Sequence, residues 1–450
     1  MYRQWTQIGR SSLGWAKNEA SGHKQPSASV FPKSHLYTEE RRYDVKPRVV
    51  ILGWYGNRNL GDEIILECIL AQIRGLFPGA RFVVISDDPE DTRKRHGVES
   101  IARSGGRVQR LRRLLTVTGA DLFILGGGGL LKPFGLKELS VLTWLGPLEL
   151  AQEVGVPTMT YAVGISDGFS PRAEEALKGV LGRTNAVLVR DEMSSEFLGR
   201  LGVSGVRVTA DPSLTLSELH PRDRSAQINP RPTRVSVFIN QWYVSMNVIQ
   251  DQRRWEAFEK ALAVCLDHLI ETFSASVKFV PMQITNGQDD DRLVAREVFE
   301  LMEHKGSAEV VEKEVSLAEA LDLVSRSSLV VGMRLHSLVL ATVVGIPAVA
   351  IDYHSKVRNF ADAIGITDWV VEISGSAGES MEVLASKALS GGYPTDRVTA
   401  RIKELQELSR ENARVAATLI QGRRGRIRFP SRIAKGFLAI LRRSVRRSSW

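Results

Sequence analysis

Val330-Val-Gly-Met-Arg-Leu-His-Ser-Leu-Val-Leu-Ala341, continued by Gly345-Ile-Pro-Ala-Val-Ala-Ile-Asp-Tyr-His-Ser-Lys-Val357, reads as one β-α-β unit. Leu329, Val330 and Val331 form a short apolar strand. The chain turns at Gly332, passes Arg334 and His336, and enters an apolar helical run from Leu338 to Val344. A second strand follows at Ala348 to Ile351, with Asp352, His354 and Lys356 beyond its carboxyl end. Open parallel sheets bind ligands at the carboxyl ends of their strands, so Arg334, His336 and Lys356 are expected to face one crevice. A helix start there offers unpaired amides and positive potential. Arg334 can grip a planar anion with two parallel hydrogen bonds, Lys356 adds a point charge, and His336 titrates near neutrality. Each residue alone reads more plainly as a solvated or salt-bridged side chain. The three together, on adjacent strand ends, favour an anion site.

Outward from this unit the same alternation recurs on both sides. Towards the amino terminus, strands are expected at Arg48 to Gly53, Phe82 to Ser86, Leu122 to Leu125, Thr158 to Val163 and Ala186 to Val189, with helical stretches between them. After Asp211-Pro212 and a Pro-, Arg- and Ser-rich segment come strands at Arg234 to Asn240, Val277 to Met282 and Glu309 to Val311. Helices over 255–272, 289–304 and 317–326 separate them, and helices over 377–390 and 396–421 end the folded part. Strand and helix in alternation predict an α/β protein with parallel sheets. The length of 450 residues exceeds one ordinary core. The expected organisation is an amino-terminal extension over 1–46, a Rossmann-like domain over 47–215, a linker over 216–233, a second Rossmann-like domain over 234–421 and a basic tail over 422–450. Two doubly wound domains then face a cleft.

Sixty basic against 51 acidic residues give a net charge of +9, yet the ten Lys and Arg of residues 421 to 450, with no acid among them, account for that excess. The charge therefore speaks for the tail and not for a nucleic-acid partner. From Ser431 to Arg447, at about 100° per residue, Ile433, Phe437, Leu438, Ile440 and Leu441 fall on one face and Arg432, Lys435, Arg442, Arg443 and Arg446 on the other. Such a helix is fit to lie on an anionic membrane surface. Only Cys68 and Cys265 occur, far apart and in apolar helical contexts, which fits a reducing compartment and no thiolate metal cluster. No apolar run is long enough to span a bilayer. The expectation is a cytoplasmic protein, peripheral on the inner membrane face through its tail.

Gly53, Gly56 and Gly61 precede a helix, and Gly126-Gly-Gly-Gly129, with Gly127 and Gly128 at its centre, follows a strand. Glycine at such turns lets backbone approach a ligand closely. Neither run matches a dinucleotide or P-loop pattern. Asn59, Asp62 and Glu63 are polar groups fit to hold sugar hydroxyls, although capping and first-turn roles explain them equally well. Arg190 closes another strand, where its side chain can point into the cleft or pair with Asp191.

Gly53-Trp-Tyr-Gly, Asn59-Leu-Gly-Asp-Glu63, Leu125-Gly-Gly-Gly-Gly-Leu-Leu131, Tyr161-Ala-Val-Gly164, Val189-Arg-Asp191 with Ser194, Ala210-Asp-Pro-Ser213, Pro281-Met-Gln283, Gly332-Met-Arg-Leu-His336 and Asp352-Tyr-His-Ser-Lys-Val357 together resemble the polysaccharide pyruvyl transferase family, in the family's order. Asn240-Gln241-Trp242 departs from the turn expected there. The resemblance implies a fold similar to the B-type glycosyltransferases, with phosphoenolpyruvate as donor substrate and no cofactor or metal. It further implies a glycan or lipid-linked oligosaccharide acceptor, and a pyruvyl ketal made on two hydroxyls of one sugar. Arg190 and His336 match the family's catalytic positions and Lys356 its donor-binding lysine. Arg334, Asn59, Asp62, Glu63, Gly127 and Gly128 are added as substrate-binding candidates. His336 is the candidate acid, or the base that activates an acceptor hydroxyl. The architecture alone also admits a nucleotide-sugar glycosyltransferase or a non-enzymatic glycan-binding protein.

Overall fold

Apolar strands alternating with amphipathic helices build two parallel-sheet halves in the computed structural model, which describes residues 42–133, 139–220, 232–241, 252–285, 287 and 289–422. In the first half β1 (Arg48–Leu52), α1 (Leu60–Leu76), β2 (Arg81–Ser86), α2 (Pro89–His96) and β3 (Glu99–Ala102) come first. α3 (Arg107–Thr118), β4 (Leu122–Leu125), β5 (Gly128–Leu131), α4 (Leu139–Glu153) and β6 (Thr158–Thr160) follow. β7 (Val163–Ile165), α5 (Pro171–Leu181), β8 (Val187–Val189), α6 (Glu192–Arg200) and β9 (Val206–Val208) complete it. The strands run in the orders β3-β2-β1-β4-β6 and β5-β7-β8-β9. β1 is buried from Val49 to Leu52, as a strand covered on both faces must be.

One expected strand proves to be two. Thr158 to Val163 is interrupted because Ala162 takes φ 52°, a left-handed conformation that ends extended backbone. β6 then pairs with β4, whereas β7 joins β5 and β8 in the other sheet.

A 3-10 turn at Pro212–Thr215 and the short α7 (Leu216–Leu219) begin the stretch expected as linker. Leu216 is buried in the apolar cluster of the second half, and residues 221–231 lie outside the described residues. β10 (Arg234–Phe238), α8 (Gln252–Phe273), β11 (Ser276–Phe279), α9 (Asp291–Leu301), β12 (Ala308–Val310) and α10 (Leu317–Ser325) follow. After them come β13 (Leu329–Gly332), α11 (Leu335–Val344), β14 (Ala348–Asp352), α12 (Ser355–Ile364), β15 (Val370–Glu372), α13 (Ala377–Leu389) and α14 (Thr395–Gln421). Their sheet has the order β12-β11-β10-β13-β14-β15. The order reverses between β10 and β13 here and between β1 and β4 in the first half, and such reversals open crevices at strand carboxyl ends.

The halves share apolar packing. Leu60, Ile64 and Cys68 of α1 belong to the same buried cluster as Leu338 and Val339 of α11. α14 leaves the second half and buries Ala413, Ala416 and Ala417 with Ile69, Leu70 and Tyr161 of the first. Its polar anchors are the Ser409 hydroxyl, which accepts from Gln72 Nε2 at 3.0 Å, and Asn412 Oδ1, which accepts from Thr209 Oγ1 at 3.0 Å. Both cysteines are buried thiols. Among the described residues no helix is long and apolar enough to cross a membrane. Residues 1–41 and the amphipathic segment read at 431–447 lie outside the described residues.

Candidate active site

Strand ends from both halves meet around a cavity of about 360 Å³, within the ~300–1,000 Å³ usual for small-molecule sites. Arg190 arrives from the end of β8, His336 from the first turn of α11, and Lys356 from the first turn of α12. Asn59, Asp62 and Arg334 also line it. Six of the nine residues singled out from sequence therefore share one wall system, while Glu63, Gly127 and Gly128 are absent from the lining. The N-terminus of α11 carries no side-chain cap, and Leu335 and His336 of its first turn face the cavity.

Two glycines permit close approach at the site, Gly61 between the halves and Gly164 within the first half. A Cβ on Gly61 would lie 2.3 Å from His336 Nδ1, so only glycine lets the imidazole seat against the start of α1. A Cβ on Gly164 would lie 2.7 Å from the Arg190 guanidinium. Gly127 and Gly128 serve packing instead of ligand approach. A Cβ on the first would meet Ile65 at 2.8 Å, and the second holds φ 91° beside Asp62.

Glu63 turns away from the cavity. Its Oε1 accepts from Gly56 N at 2.9 Å and its Oε2 lies 2.7 Å from His96 Nε2, which secures the 53–59 loop from inside. Replacing Glu63 with alanine is expected to cost ~1–3 kcal/mol for each buried partner left unpaired. A denaturant midpoint measures that loss, and donor affinity is expected to stay unchanged.

Asn59 is a cap and a bridge. Its Oδ1 accepts from Gly61 N at 3.1 Å and its Nδ2 donates to Gln283 Oε1 at 3.0 Å, across the cleft. Beside it Leu60 N donates to Met282 O at 2.8 Å. Asn59 Oδ1 thus caps α1 while its Nδ2 joins the halves.

Arg334 departs furthest from its expected role. Its Nε lies 3.1 Å from Asp291 Oδ2, its Nη2 pairs with Asp291 Oδ1, and its Nη1 donates to Gln283 Oε1 at 3.0 Å. The fork expected for a substrate anion is occupied by a buried carboxylate. That carboxylate also accepts from Met282 N and Gln283 N at 3.0 Å, so Arg334 organises the Met282–Gln283 edge of the cavity.

Arg190 and His336 converge on an acid that the sequence reading placed in the Ala210-Asp-Pro-Ser213 motif without naming it a site residue. Asp211 caps its 3-10 turn through Oδ1, which accepts from Ser213 N at 3.0 Å. Its Oδ2 lies 3.5 Å from Arg190 Nη1 and 3.9 Å from His336 Nε2. Both Asp211 Oδ2 and His336 Nε2 are buried without a hydrogen-bond partner, so the pair stands just outside contact. Arg190 Nε also lies 3.3 Å from Asp191 Oδ2, and Asp191 caps α6 by accepting from Ser194 N at 2.8 Å.

Burial and crowding of like charges set the protonation states. Burial first, then the Arg190 and Arg334 charges, bring Lys356 down to about 7. Lys132 is also brought down to about 7, by burial and then by Lys356. Asp62 is pushed up to about 7 by burial and then by Glu63. His336 is lowered to about 4, chiefly by burial, which Asp211 opposes and the Arg190, Lys356 and Arg334 charges reinforce. Two lysines and an acid poised near neutrality beside a neutral imidazole form a site ready to take up an anion and move protons.

The polysaccharide pyruvyl transferase family matches this chain over residues 59–355. The chain belongs to that family. The amylovoran biosynthesis protein AmsJ of Erwinia amylovora is 22% identical over 264 residues, 55% of this chain. The match covers 62% of that relative's length. Among solved structures, a glycosyltransferase from Rickettsia africae superposes with a TM-score of 0.53 at 9% identity, covering 85% of this chain and 100% of that one. The UDP-GlcNAc 2-epimerase of Methanocaldococcus jannaschii gives 0.51 at 10%, covering 80% and 99%. At such identities the likeness is one of fold, the two-lobed Rossmann-like architecture of B-type glycosyltransferases.

The pyruvyl transferase cavity also contains residues not named as site candidates from the sequence, although Trp54, Gln283 and Tyr353 lie within the quoted motifs. Trp54, Arg103, Lys132, Trp144, Gln283, Asp289 and Tyr353 all line it. Lys356 Nζ sits 5.0 Å from the centre of the Tyr353 ring, a cation–π contact that steers the ammonium. Asp211 and Lys132 had a signal available, an ionisable group just past a strand end. Trp54 stood in the Gly53-Trp-Tyr-Gly motif, and Arg103 had no signal.

Proposed function

We propose that this pyruvyl transferase moves the pyruvyl group of phosphoenolpyruvate onto two hydroxyls of one sugar in a surface glycan or its lipid-linked precursor, releasing phosphate. The observation that carries the reading is the convergence of Arg190, Lys356 and Lys132 on one cavity with Asp62 and His336. A trianionic donor needs such cations, and side chains can supply them. AmsJ, by its name a protein of amylovoran biosynthesis, supports a glycan as acceptor.

The environments of Asp62 and His336 push their pKa values in opposite directions, which is how a site assigns an acid and a base. Asp62, protonated part of the time near neutral pH, gives its proton to the methylene carbon, and C2 becomes an oxocarbenium-like electrophile. Neutral His336 accepts the proton of the attacking hydroxyl as its oxygen bonds to C2. The C2–O bond to phosphate then breaks, with Arg190 and Lys356 holding the departing anion. The neighbouring hydroxyl adds to the same carbon, gives its proton to the Asp62 carboxylate and closes the ketal. Asp211, 3.9 Å from His336 Nε2, stabilises the imidazolium formed on the way.

Incubation with phosphoenolpyruvate or UDP-sugars, in the presence of the surface glycan, tests this reading. Phosphate release with a pyruvate mass increment on the glycan is the expected result. Nucleotide release from a UDP-sugar would replace it with the glycosyltransferase reading.

Donor affinity is also expected to depend on pH with a definite sign. Lys356 and Lys132 lose their protons near pH 7 before the donor binds, and the donor binds their charged forms. Affinity falls as pH rises above about 7, by up to tenfold per pH unit for each lysine. Below about pH 6 the donor phosphate itself takes a proton, and affinity falls again. Isothermal titration at pH 6.5 and 8.5 checks this, and a flat profile would remove both lysines from the donor site.

A further inference from the structure

We propose that the exposed ridge of α3, continued by Leu142 of α4, is a docking face for an anionic lipid bilayer, set at the rim of the substrate cavity. Val108, Leu111 and Leu115 are 78%, 45% and 41% exposed, and Leu142 is 38% exposed. At about 100° per residue the first three fall within an arc of ~60°. Arg107 and Arg112, both exposed, flank that arc on its two sides, and Arg110 adds a further exposed charge. The opposite face of the helix is ordinary core, with Leu114 and Val117 buried. The α3 sequence RVQRLRRLLTVT contains no acid. An apolar ridge between arginines, with no acid to answer them, matches a surface that is apolar within and anionic at its headgroups. A second copy of the chain would set arginine against arginine, which disfavours self-association through this ridge.

The patch is placed at the cavity. Arg103, a wall residue, lies four positions before Arg107, so the start of α3 is within about 15 Å of the wall. α3 packs against α4, where Leu142 is followed directly by the lining residues Thr143 and Trp144. A bilayer under this face would hold the sugar end of a lipid-linked acceptor near Trp54 and Trp144. That consequence for the acceptor rests on the proposed function, whereas the docking itself does not.

Sedimentation of the full chain with vesicles, in the absence of donor and acceptor, separates the two claims. Wild type is expected to bind mixed phosphatidylcholine–phosphatidylglycerol vesicles and to release them as salt rises. It is expected to bind pure phosphatidylcholine vesicles far more weakly. R107E/R110E/R112E should weaken binding on the order of a hundredfold, the effect of three basic residues near an anionic surface. L111E and L115E, tested singly so that folding is preserved and checked by thermal melting, should each weaken it at least fivefold. I440E/L441E serves as the control for the basic carboxyl-terminal segment. The proposal is overturned if the α3 variants keep wild-type binding while the tail variant loses it. It is equally overturned if the wild-type chain binds neither vesicle, as a face for an acidic protein would behave.

Discussion

Replacing His336 by alanine is expected to lower turnover by ~10²–10⁴, the usual worth of a positioned general base. Donor affinity should change little, because the imidazole is neutral near pH 7 and contributes no charge to anion binding. Two features of its setting make the effect specific. The ring is seated against Gly61, and its Nε2 lies 3.9 Å from Asp211 Oδ2, which is also 3.5 Å from Arg190 Nη1. Gly61→Ala offers an independent version of the experiment. Its new Cβ would fall 2.3 Å from His336 Nδ1 and displace the ring while leaving its chemistry intact. Both variants should lower kcat with a modest change in donor Kd, read by phosphate release and by titration. Turnover within tenfold of wild type in His336→Ala would show that the proton goes elsewhere.

The second large effect is on stability. Arg334→Met leaves the Asp291 carboxylate, 2% exposed, without its cation. Removing one partner of a buried pair typically costs ~3–5 kcal/mol. A fall of that size in unfolding free energy is expected, and Arg334→Met with Asp291→Asn should recover much of it, since the uncompensated charge is gone. Denaturant unfolding of the two variants decides the point. If Arg334→Met unfolds like wild type but binds phosphoenolpyruvate poorly, the arginine is a donor ligand after all and the Asp291 pairing is incidental.

These expectations show how unevenly the site could be read along the chain. Arg190, His336 and Lys356 were legible because each closes a β-strand or opens the helix after it. In a parallel sheet those positions gather at one edge whatever the details of packing. Arg334 was legible as a residue at that edge but not in its role. Its partner Asp291 lies 43 positions away, and only the tertiary fold brings the start of α9 beside the start of α11. Glu63 failed for the same reason. One helical position after Asp62, it points about 100° away, towards His96 and away from the cavity.

By itself the sequence determined the alternation of strand and helix and most strand and helix limits in the second half. It also determined which ionisable groups stand at strand ends. These depend on side-chain periodicity, capping and turn residues within a few positions of one another. The tertiary structure alone decided the breaking of the Thr158–Val163 run at Ala162, the return of α14 to the first half, the stitch between Asn59 and Gln283 and the approach of His336 to Asp211. Each of these joins groups distant in the chain or fixes a backbone angle through packing. No local pattern records such contacts, because they exist only once the chain has packed into its tertiary structure.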